Sequence, residues 1–226
     1  MSVFPDDRSI GTGLPSPGMM TVRMLGRLCL AGGVIGVASG LVTAFAPAGV
    51  GADRFSYPFT PGWFLTAETA YLLNHVPMLA GVLGVIRAGV AGRGRLARWG
   101  GALSVAGLVA HGLCEVGAMF LVDAPADGSA AAWIGAGYGL ASLLIITGMA
   151  LLGTAVARAG SWQGWRRWIV LACGVVLFAA SLAIAGPFLA GRLALAAWLA
   201  LFIALGLALA RTAVTVPAPP ASATAY

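Results

Sequence analysis

Four side chains capable of acid–base chemistry lie inside apolar stretches of a chain in which only 9% of residues are charged. Glu68 and Glu115 are the only acidic residues in those stretches, and His75 and His111 are the only histidines in the sequence. An ionisable group placed in lipid is expensive, about 2.5–3.5 kcal/mol for a central Asp, Lys or Arg, so such groups point to function by default. Their spacing makes them one constellation. Glu68 and His75 are seven residues apart, almost two helical turns, and so share a face. Tyr71 lies between them, three after the glutamate and four before the histidine. His111 and Glu115, four apart, share a face of the next apolar stretch.

The chemistry open to such a set divides three ways. Two imidazoles at one depth could be the axial ligands of a haem. However, neighbouring helices pack about 8–10 Å apart, which is tight for two rings and an iron. A chain of Glu and His groups could relay protons for a transporter, although six short helices without matched broken helices give little support for a carrier. A carboxylic acid held protonated in apolar surroundings could act as a general acid on a lipophilic substrate, with an imidazole to restore the proton. Aromatic residues such as Tyr71, Phe120, Trp133 and Tyr138 would then line the pocket and steady a cationic intermediate. A purely structural part, as interhelical glue in a larger assembly, stands beside these.

The elements that must position these groups are legible from composition. The chain is 60% hydrophobic with mean hydropathy +0.94, too apolar to face water all round. Segments of roughly 24–46, 63–88, 96–122, 131–157, 165–186 and 189–210 each reach the length and apolarity of a spanning helix. The expectation is an all-α integral membrane bundle of six transmembrane helices over residues 23–211, between flexible cytoplasmic tails at 1–22 and 212–226. All 13 basic residues are Arg. Eleven fall on one side of this topology, against Arg54 and Arg192 on the other. The positive-inside rule therefore puts both termini in the cytoplasm of a multi-pass cell-membrane protein. Arginines placed in this way orient a membrane protein and do not form a nucleic-acid face.

In that topology the second and third helices form a hairpin centred near Arg93, with His75 18 residues before it and His111 18 after. The imidazoles then share one depth, with Glu115 about 6 Å and Glu68 about 10 Å further outward. Gly32, Gly36 and Gly40, and also Gly135 and Gly139, recur at helical spacing and read as packing grooves. The run Trp162–Trp168 reads as an interfacial aromatic belt, and Cys29, Cys114 and Cys173 as small core residues. The aromatic loop with Phe55, Tyr57 and Phe59 reads first as an ordinary interfacial connection, with capping of the outer mouth of the bundle as the alternative.

A small multi-pass chain with Glu68-x-x-Tyr71 in its second helix and a second buried carboxyl resembles the membrane-bound terpene cyclases. The resemblance rests on about a dozen residues of one helix. It implies metal-independent protonation of an isoprenoid olefin or epoxide by an intramembrane glutamate, followed by cyclisation and deprotonation. The fungal members have seven helices and carry their second acid in the last one, whereas the last three apolar segments here hold no Asp or Glu. Only Glu68 and Tyr71 carry over, and Glu115 as the partner acid comes from the geometry above. The combined expectation assigns Glu68 as proton donor, with Glu115 and His111 tuning or recharging it. Tyr71, His75, Phe120 and Tyr138 shape the substrate site. No metal ligands and no cofactor are assigned, and the partners are a lipophilic small molecule and membrane lipid.

Overall fold

The computed structural model describes residues 17–184 and 186–212. Among them the chain forms six α-helices: α1 (Pro17–Ala44), α2 (Pro61–Ala88), α3 (Arg95–Met119), α4 (Ser129–Ala159), α5 (Ile169–Ile184) and α6 (Phe188–Ala210). A short 3-10 turn, Gly164–Arg167, leads into α5. Five of the helices, all but α5, are long and apolar enough to cross a membrane. The fifth differs from the sequence expectation. Its 16 residues rise about 24 Å, short of a bilayer core, because the Trp- and Arg-rich stretch before it folds as the 3-10 turn. The start of α1 is also earlier than expected. Proline suits the first helical position, and Val22 within the supposed tail is buried. The expected tails otherwise fall on residues 1–16 and 213–226, outside the described residues.

Each helix packs antiparallel on its chain neighbours, and α6 returns to α1, closing a ring. The start of α1 and the end of α6 therefore lie at one end of the bundle, called the near end below. Glycine makes the tightest seams. A Cβ on Gly206 would sit 2.5 Å from the Leu30 nitrogen and 2.6 Å from the Gly26 carbonyl, so α1 and α6 touch backbone to backbone. On the α3–α4 seam a Cβ on Gly107 would lie 2.7 Å from the Ile145 nitrogen, and one on Gly148 would collide with the Ser104 nitrogen. Helices without a water-driven hydrophobic force between them associate through such close approaches. The Gly32/Gly36/Gly40 face is filled as expected, by Pro77, Asn74 and Leu199, and Ala196 in turn. Gly135 and Gly139 are not a groove: a Cβ on either would meet nothing within 4 Å.

At the far end, the loop after α1 pairs with the loop after α3. Phe55 donates its N–H to the Ala124 carbonyl at 3.0 Å, and Ala126 donates to the Asp53 carbonyl at 2.8 Å. An exposed Arg54–Asp123 ion pair at 3.4 Å adds about 0–1 kcal/mol. At the near end, Trp162 is buried and donates Nε1–H to Thr212 Oγ1 at 3.1 Å, so it belongs to the core and not to a belt. Trp165 and Trp168 remain exposed, with Arg167 stacked over Trp168.

These seams set a sharp contrast. Gly206→Val should lower stability in detergent by about 1–3 kcal/mol through overpacking against backbone, whereas Gly135→Ala should change it by about 0.5 kcal/mol or less. Thermal unfolding of the two purified variants checks this; equal losses would contradict the seam assignment.

Candidate active site

The helical ring encloses a cavity of about 720 Å³, within the range of small-molecule sites. Its polar wall is built by α2, α3 and α4. Glu68, Asn74 and His75 face it from α2, and His111 and Glu115 from α3. Glu68, His75 and Glu115 are buried, and His111 is half-buried. The two separate helical spacings read in the sequence thus do converge.

Tyr138, from α4, ties the carboxyls together. Its phenol donates to Glu115 Oε2 at 2.8 Å and approaches Glu68 Oε2 at 3.5 Å. His111 completes the cluster from the other side, with Nδ1 3.5 Å from Glu115 Oε1 and its ring edge-on to Tyr138 at 4.9 Å. At 3.5 Å that nitrogen has no good hydrogen bond, and it is buried without another partner. The imidazoles share one depth, as the hairpin arithmetic requires, and stack with centroids 5.2 Å apart and planes 29° from parallel. His75 Nδ1 lies 2.8 Å from the Tyr71 carbonyl. A carbonyl only accepts, so Nδ1 carries the hydrogen and Nε2 keeps its lone pair.

The stacking bears on the haem alternative. Axial ligands need a macrocycle between them, and rings already in contact leave no such gap. A single small cation is sterically different. One donor atom each from His75, His111 and Glu115 lies within 4.8 Å of the others, a two-histidine, one-carboxylate set that the sequence analysis did not assign.

The remaining sequence candidates separate. Tyr71 lines the cavity nearer the far end, sharing a 2.6 Å hydrogen bond with Thr43 Oγ1. Phe120 ends α3 83% exposed and does not line the cavity; helix periodicity turns it away from the Glu115 face. Trp133, 78% exposed, lies outside as well. Four polar lining residues were not singled out as site residues: Asn74, Ser142, Ser181 and Arg192. Asn74 is buried with its Oδ1 unpartnered and Nδ2 3.8 Å from Met78 Sδ. Ser181 of α5 bonds its own helix at Leu177. Arg192 of α6 was read only as an outer-loop charge. The signal for Asn74 was present: it neighbours His75 on the α2 face three turns long. Arg192 gave none beyond its isolation.

Phe55 and Tyr57 of the loop before α2, together with Phe64 of α2 itself, line the far end of the cavity, so the loop is more than an interfacial connection. The cavity instead opens sideways. Leu143 of α4 and Phe178 and Leu182 of α5 line it while more than half exposed, and Gly135 and Gly139 leave space beside them. Helices α4 and α5 meet closely only toward the near end, where Gly153 seats on the Leu171 backbone. No family model, characterised protein or solved structure matches the chain.

The Tyr138 hydroxyl should hold the cluster together. Tyr138→Phe is expected to cost about 1–3 kcal/mol by orphaning buried carboxyl oxygens, and Phe120→Ala about 0.5 kcal/mol or less. Unfolding of both variants in detergent measures this, and indifference to Tyr138→Phe would contradict the bridging role.

Proposed function

We propose that the chain is a multi-pass cell-membrane enzyme that performs acid–base chemistry on a lipophilic substrate drawn sideways from the bilayer. Six helices span, with α5 completed by the 3-10 turn before it, and both termini are cytoplasmic. The Arg-rich ends of α1 to α6 gather at the near end of the bundle, which supports that orientation. The observation that carries the functional reading is the pairing of two buried carboxyls through Tyr138 on the wall of an otherwise apolar cavity.

Two carboxyls sharing one phenol, away from water, cannot both hold a full negative charge without large cost, so the pair retains a proton to give. Glu68 is the donor to substrate. It faces the cavity and has the weaker link to Tyr138, while Glu115 is held at 2.8 Å. The Glu115–His111 pair then takes the proton that the cationic intermediate loses, and the Tyr138 hydroxyl returns a proton to Glu68 by donating to that carboxylate while accepting one from Glu115. His75 braces His111 by stacking. The sideways opening between α4 and α5 suits a ligand that partitions into lipid, and an apolar cavity protects a cationic intermediate from water. An isoprenoid olefin or epoxide is the substrate class that the terpene-cyclase resemblance implies, and the volume accommodates one.

Two measurements test the reading. Incubated with a membrane lipid extract and followed by mass spectrometry, the wild-type protein should convert at least one neutral or amphiphilic lipid. Glu68→Gln and Glu115→Gln should each reduce that conversion by about 10²-fold or more with expression and insertion intact. Full turnover in both variants would remove the acid–base mechanism. For topology, cysteines placed in the Gly89–Gly94 and Asp123–Gly128 loops of intact cells should label with an impermeant reagent only at the latter. The reverse pattern would invert the orientation.

A further inference from the structure

Arg192 sits in the first turn of α6, in the cavity wall at the far end. Its guanidinium carbon lies over three rings, 5.1 Å from Phe188, 5.7 Å from Tyr71 and 5.9 Å from Phe59. These contacts hold the group inside an aromatic collar, where a free arginine at a bundle end would extend toward water. Its one hydrogen bond among the described residues is a long one, Nη1 to Tyr71 Oη at 3.5 Å. Tyr71 is itself held by Thr43, so the collar is fixed before anything binds.

What Arg192 lacks is a direct ion pair, since Glu68 acts on it only through space. Among the described residues no carboxylate oxygen lies within 4.0 Å of Arg192; Glu68, the acid on the same cavity wall, is beyond that distance. A guanidinium offers five donors in a planar fork matched to carboxylate or phosphate oxygens, and four of these have no partner in the collar. The guanidinium is half-buried, and its free donors are not sealed inside the protein, so a ligand in the cavity can reach them. The cavity runs inward from this point past Glu68 and Glu115 to the apolar side chains Met78, Ile146 and Leu177.

We propose that Arg192 binds the anionic end of an amphiphile whose chain lies along the cavity, so that the substrate class is an acidic single-chain lipid, carboxylate or phosphate headed. The head is held at the outer mouth and a mid-chain carbon faces the Glu68–Tyr138–Glu115 group. This rests on the proposed acid–base site and adds the polar half of its substrate.

The test uses the full-length protein in neutral-lipid nanodiscs and four probes: palmitate, hexadecyl phosphate, hexadecanol and inorganic phosphate. Wild type should bind one or both anionic lipids at least about tenfold more tightly than the alcohol. Inorganic phosphate should not displace them, since the chain supplies most of the contact. Arg192→Gln should abolish the preference while leaving hexadecanol affinity unchanged, which also reports an intact fold. Equal affinity of wild type for alcohol and anions, retention of the preference in Arg192→Gln, or tight binding of inorganic phosphate alone would each overturn the proposal. Should Arg192→Gln not fold, the wild-type comparison decides by itself. Glu68→Gln separates the two readings. Lost turnover with the anion preference kept supports both. Full turnover with the preference kept removes only the acid–base step, and lost turnover without any preference in wild type removes only the headgroup site.

Discussion

A carboxyl group shut away from water must find its hydrogen-bond partners within the protein, and here two carboxyls from different helices find the same one. The Tyr138 phenol, 2.8 Å from Glu115 and 3.5 Å from Glu68, joins α2, α3 and α4 at a single point. Removing any member leaves a buried polar group unpaired, a cost comparable to or larger than a hydrogen bond. That link ties α4, already seated on α3 through Gly107 and Gly148, to the carboxyl pair on the cavity wall.

The ring of helices divides its labour along its length. Toward the near end, seams such as Gly153 on Leu171 and Gly206 on Leu30 bring backbones into contact and leave no space. Toward the far end, two glycines of α4 do the opposite. Gly135 and Gly139 have no neighbour where a side chain would be, and α5 ends at Ile184, after 16 residues. The same residue type thus closes the bundle at one level and opens it at another, according to what the facing helix presents. A loop rich in aromatic residues then covers the end, so the opening that remains faces sideways between Leu143 and Phe178.

Much of this was readable from spacing. Separations of seven residues from Glu68 to His75 and four from His111 to Glu115 give shared faces, and equal distances of the histidines from Arg93 require one shared depth, which the stacked imidazoles have. Helical periodicity fixes faces well because a helix is rigid. It does not fix which distant helix meets that face, so the sequence could place Tyr138 near the cluster only as an aromatic and not as a bridge. Phe120 misled for a related reason: it follows Glu115 by five residues, which turns it to the opposite side, where it ends the helix exposed. Gly135 and Gly139 have the pattern of a packing groove, but pattern does not report whether a partner arrives. Arg192 carried no local signal, since its meaning comes from Phe59, Tyr71 and Phe188, which are far from it or uninformative in sequence. The shortness of α5 was hidden because the Trp- and Arg-containing stretch before it is apolar enough to extend a hydropathy window.

The central claim is that lipid reaches the buried carboxyl pair through the side of the bundle. Photocrosslinking in native membranes, with a diazirine placed in the middle of a lipid chain and adducts mapped by mass spectrometry, tests it most directly. Adducts are expected inside the cavity, on Glu68 or Glu115, as well as on Leu143, Phe178 and Leu182 at the opening. Adducts confined to outward-facing positions such as Phe120 and Trp133, with none on the carboxyls, would contradict it.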